Sequence, residues 1–139
     1  MIRILLMTAV VLTVSANVFA ADIAVGTWGS IAHSGAANLV VTADGARLEP
    51  GCGGVSVDGA ISVQDDGSFE VSGTTFSGLM TPPGHKFQGN PAILAGKVAG
   101  NTLVLTVIEA VKGSGGSFGA TTVHYTLKRG APAVFPHCL

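Results

Sequence analysis

Apolar side chains recur at every second position along much of this chain, and glycine, aspartate or asparagine interrupts them at short intervals. A period of two places one residue set on one face of a pleated strand, whereas a helix needs a period near 3.6. Beyond residue 20 no stretch sustains the helical period, so the chain is confined to strands joined by tight turns. Val55, Val57, Ile61 and Val63 share one parity, and Phe69 and Val71 continue it. A hairpin at Asp58-Gly59 would split that set between two faces, so one continuous strand bent at Gly59 is expected. Asp65-Asp66-Gly67 then forms a three-residue turn with Gly67 left-handed. That register pairs Val63 with Phe69, Ile61 with Val71 and Gly59 with Gly73. Two glycines facing each other imply the sharp coiling of a small barrel wall.

A second hairpin is set by Gly100-Asn101, which pairs Val98 with Leu103, Gly96 with Leu105 and Leu94 with Val107. Val104, Ile93 and Ile108 fall on its other face as an exposed apolar stripe. Asp44-Gly45 is expected to join strands near 37–43 and 46–50, with Val41 opposite Leu48. A first strand runs from Val25 to Ile31 around Trp28. A last one carries Val123, Tyr125 and Leu127 on one face and His124, Thr126 and Lys128 on the other. This makes about eight strands, with only Gly78 to Pro91 and Gly113 to Ala120 as longer connections. Neither has room for a crossover helix, so the pairing is antiparallel. An all-β, eight-stranded antiparallel up-and-down barrel removes every unpaired edge, and a two-sheet β-sandwich is the alternative.

The first twenty residues read as an export signal: Arg3, an apolar-dominated run from Ile4 to Val14, and Val18-Phe19-Ala20 before the cut. Eleven such positions fall short of the ~20 a membrane-spanning helix needs. Residues 21–139 form a single domain in this reading, periplasmic or secreted, with no membrane span. Its few charges, 6 bases against 8 acids once Arg3 is removed, and the lack of basic–aromatic interleaving exclude a nucleic-acid partner. A membrane barrel, apolar outside and polar within, is disfavoured by the scarcity of Trp and Tyr for interfacial girdles. Cys52 and Cys138 are expected to form one disulfide in an oxidising compartment, stabilising by about 4 kcal/mol in the chain-entropy model.

Gly26-Thr27-Trp28 on the first strand resembles the opening of the calycin superfamily, which includes lipocalins and avidins. The resemblance implies a barrel whose end is closed by Trp28, with Lys128 or Arg129 from the last strand packed over the ring. The chain departs from avidins in having one tryptophan, and from lipocalins in lacking a helix after the last strand. In size, export signal and a single disulfide it is also similar to periplasmic barrels that inhibit proteases or lysozyme.

Chemistry is sparse. Gly115-Gly116-Ser117-Phe118-Gly119 matches a nucleophile pattern, but that pattern needs a strand–turn–helix and a later acid, and no Asp or Glu follows Glu109. His33, His85, His124 and His137 lack the spacing of metal ligands. Asp65 and Asp66 are explained by their turn. No catalytic residue, metal or cofactor is expected, and the chain does not read as an enzyme. The long connection Gly78 to Pro91 carries Leu79, Met80, His85 and Phe87, the candidates for contact with a partner. The expected function is a non-catalytic binding module that engages an apolar small ligand or a protein at the barrel mouth. The alternative is a periplasmic inhibitor of a protease or lysozyme.

Overall fold

A computed structural model describes residues 21–30, 36–77 and 89–131. Ten strands alternate with turns: β1 (Ala21–Asp22), β2 (Gly26–Ser30), β3 (Asn38–Thr42), β4 (Gly45–Glu49), β5 (Gly53–Asp58), β6 (Ser62–Val63), β7 (Ser68–Ser77), β8 (Pro91–Ala99), β9 (Thr102–Lys112) and β10 (Phe118–Arg129). Eight of them close an antiparallel barrel in the order β10-β2-β3-β4-β5-β7-β8-β9, while β1 and β6 pair separately. Sequential neighbours lie side by side, as an up-and-down barrel requires. Among the described residues no helix is long and apolar enough to cross a membrane.

The interior is apolar. Val55, Leu39, Leu94, Leu103, Leu105 and Leu127 have no exposed surface, and they belong to one continuous cluster. Ser, Thr and charged residues occupy most of the outer wall, the reverse of an outer-membrane barrel. The β8–β9 hairpin has the expected register, with Val98, Gly96 and Leu94 opposite Leu103, Leu105 and Val107. Gly100 turns it at φ 59°. Gly96 has a packing role as well, because it faces Phe69 across β7–β8 and the Phe69 ring fills the space that a β-carbon would take.

Two registers differ from the sequence-based expectation. Val41 pairs with Ala46 and Leu39 with Leu48, so the β3–β4 turn is Ala43-Asp44 and Gly45 lies in the strand. Gly45 is required there by close approach, since a β-carbon would stand 2.2 Å from the Val57 carbonyl oxygen. The offset is two residues, so the inward set is unchanged.

The second difference concerns Gly59 and Gly73, which are not partners. Gly59, at φ 88°, ends β5, and its amide donates to the Asp44 carbonyl at 2.7 Å. The chain then crosses the barrel end instead of continuing as one strand. Ile61 accepts from the Ile23 amide at 2.9 Å, and β6 pairs with β1. The turn at Asp65–Gly67 does form, with Gly67 at φ 83° and the Gln64 amide donating to Ser68 at 2.8 Å. Its register stops there because residues 59–61 intervene before β5. Gly73 therefore pairs with Ala92 on one side, and on the other lies against Val55, Ser56 and Val57. Parity survives: Val55, Val57, Ile61 and Phe69 are buried, and Val63 and Val71 pack against them.

Candidate functional site

The barrel has two unlike ends. One collects the tight turns at Ala43-Asp44 and Gly100-Asn101, together with the 59–67 segment. Trp28, which has no exposed surface, fills it, and its Nε1 donates to the Ala24 carbonyl at 3.2 Å. Arg129 pairs with Trp28 in the β2–β10 ladder, and its Nη2 donates to the Val25 carbonyl at 3.1 Å. Arg129 ties this end by that hydrogen bond. Lys128 is exposed beside Gly29. The guanidinium–ring contact among the described residues is elsewhere, Arg47 over Phe76 at 3.7 Å.

The opposite end is the mouth. The connections at 50–52 and 113–117 lie there, as do the strand ends Ser30, Asn38, Ser77 and Pro91. A cleft of about 450 Å³ opens on it, lined by Pro50–Gly54, Thr75–Ser77 and Glu109. Local sequence explains its rim. Gly54 pairs with Phe76, and glycine is required there chiefly by close approach of the Leu48 carbonyl, whose oxygen would stand 1.8 Å from a β-carbon, with Phe76 Cζ next at 3.1 Å. Arg47 covers that ring and is anchored by Glu49, with Nε to Oε1 at 2.7 Å.

Glu109 supplies the only charge among the described lining residues. It continues the inward parity of Leu103, Leu105 and Val107, and it sits between Ala92 and Thr121 in the ladders. Tyr125, also inward and buried, has its phenol pushed above the usual tyrosine value, first by burial and then by the negative charge of Glu109. Strand parity alone could have revealed this pair: counting on from Val107 puts Glu109 inside.

Of the sequence candidates, Leu79, Met80, His85 and Phe87 lie outside the described residues, as do the signal segment, His33, His137 and Cys138. The connection bearing the first four leaves from Ser77 at the cleft and returns at Pro91. Cys52 stands on the same rim. His124 is on the outer wall, its Nδ1 3.0 Å from Thr106 Oγ1. The Gly115–Gly119 run spans the end of a β-hairpin loop and the first two residues of β10: the Gly113 amide donates to the Ser117 carbonyl at 2.8 Å, and β10 starts at Phe118. The strand–turn–helix of a nucleophile elbow is not formed there. Among the described residues no three potential ligands cluster for a metal.

The fold and the cleft together define a class, an antiparallel eight-stranded barrel plugged at one end and open at the other. No protein-family model, curated protein or solved structure matches the chain.

Proposed function

We propose that the chain is an exported, calycin-like, non-catalytic binding module that holds a small ligand or a protein segment at the barrel mouth. The observation that carries this reading is the cleft above a packed interior, with Phe76 on its rim and Glu109 facing in. Such a site offers a mixed surface of glycine backbone, Pro50, Phe76, Thr75 and Ser77 to the body of a ligand and one carboxylate to fix a donor group. The tight packing of Leu94, Leu105 and Leu127 below it supports binding at the mouth instead of deep in the barrel. A second reading, inhibition of an envelope protease or lysozyme, is favoured by Phe118, 79% exposed beside the 113–117 loop on the same rim.

Native mass spectrometry of the protein purified from the periplasm of its host tests both. An adduct that Glu109→Gln weakens supports the mouth site. A co-purifying enzyme released by Phe118→Ser supports the second reading. A bare chain with neither companion overturns the binding module.

A further inference from the structure

We propose that the barrel mouth takes the cationic head of a small organic molecule, an ammonium or guanidinium group, with Glu109 as its counter-ion. This rests on the mouth being a binding site and names the chemistry of what enters it. Glu109 follows Leu103, Leu105 and Val107 on the inward face of β9; those three are buried, and Glu109 is half-buried. Its ladder partners are Ala92 on β8, buried and short, and Thr121 on β10. Neither carries a charge. Directly paired side chains stand about 4.5–5.5 Å apart at Cβ, so the Thr121 hydroxyl is the carboxylate's neighbour on that face.

Glu109 makes no hydrogen bond or ion pair with a described residue. Arg47, the cation at the cleft's rim, is committed twice, paired with Glu49 and stacked on Phe76. No buried side-chain oxygen among the described residues lacks a partner, so the unpartnered oxygens of Glu109 open onto the cleft. A partly buried charge without a counter-charge costs free energy, and an arriving cation offsets that cost. Tyr125 registers the same field: it lies four positions below Thr121 on the inward face of β10, and the Glu109 charge adds to burial in holding its proton. An anion would meet repulsion here, and a neutral ligand would leave the carboxylate as it was. A cleft of about 450 Å³ suits a small molecule, with Pro50 and Phe76 to contact its carbon skeleton.

Butylguanidinium, its neutral isostere butylurea and the anion pentanoate test this by NMR titration of the exported chain at neutral pH. Butylguanidinium should shift the amides of Gly53, Thr75, Glu109 and Thr121 and bind roughly tenfold or more tightly than butylurea. Glu109→Gln should abolish that preference. Glu70→Gln, which removes the same charge from the exposed outer wall, should leave it intact. Saturating butylguanidinium, which stays charged in alkali, should also lower the titration midpoint of Tyr125, the sole tyrosine. Butylurea or pentanoate bound at these amides as tightly as butylguanidinium overturns the cation and keeps the mouth as a binding site; no shift with any of the three overturns both. A preference that survives Glu109→Gln, or falls equally with Glu70→Gln, also overturns the proposal. Lys86, outside the described residues, is the rival cation of this chain. A Tyr125 midpoint that rises on Lys86→Met gives Glu109 that internal partner and overturns the proposal. In native mass spectra of the chain purified from its host, a basic adduct lost on Glu109→Gln supports a small molecule, whereas an intact protein held through Glu109 overturns that source.

Discussion

Replacing Gly96 by alanine puts a methyl group in the place of the Phe69 ring. The new carbon would lie 2.6 Å from Phe69 Cζ, 2.7 Å from Cε1 and 3.1 Å from Leu103 Cδ1. Carbon atoms in contact rest about 3.5–4.0 Å apart, so the ring must withdraw by roughly 1 Å. It has nowhere to go, because Leu94, Leu103 and Leu105 around it have no exposed surface and the interior is close-packed. Overpacking of this kind costs about 1–3 kcal/mol. Alanine returns about 0.5–1 kcal/mol by restricting the unfolded chain. The net loss is roughly 0.5–2 kcal/mol, which for a domain of this size lowers Tm by about 3–6 °C per kcal/mol. Phe69→Leu also destabilises alone, but it removes the atoms that clash. In the double variant the losses should fall short of their sum by about 1 kcal/mol. Urea unfolding followed through Trp28, the sole tryptophan, measures all four proteins. A Gly96→Ala protein as stable as the parent, or losses that add within ~0.3 kcal/mol, would refute the placement of the ring and the register of β7 on β8.

Tyr125 is the only tyrosine, so phenolate absorbance reports it alone. Its midpoint should lie above 10.0 in the folded protein and fall on Glu109→Gln without reaching the free value, since burial is the larger cause. The folded state favours the neutral phenol, so stability should decline once pH exceeds the unfolded value near 10; a flat alkaline limb contradicts the burial of the hydroxyl. A Cys52–Cys138 bridge should leave no titratable thiol in the exported protein, and Cys52→Ser with Cys138→Ser should cost about 4 kcal/mol. Equal stability of the double-serine chain would dispose of that bridge.

Much of this barrel was legible because alternation is a local signal. Val98 and Leu103 meet across Gly100-Asn101 with nothing between them to shift the register. Tyr125 and Leu127 face inward as their parity requires. What failed involved contacts distant in sequence. Gly45 looks like a turn glycine until the Val57 carbonyl is placed against it. Gly59 looks like a bend in a strand until the Asp44 carbonyl captures its amide. Glu109 sits at the end of an ordinary-looking strand, where counting parity on from Val107 places it inside; that it shares a cleft with Thr75, Ser77 and Gly53 shows only once the strands are closed into a barrel.

The β2–β10 seam has a kinetic consequence. β7 to β10 form successive hairpins that need only nearby partners, whereas closure unites Trp28 with Arg129, 129 − 28 = 101 positions apart, through three residue pairs. Joining ends so remote is entropically slow, and few bonds reward it. The last four strands should therefore zip first, and the cylinder should latch only when the final strand arrives to meet one made at the start. On the way back out, that short latch is the first part to let go.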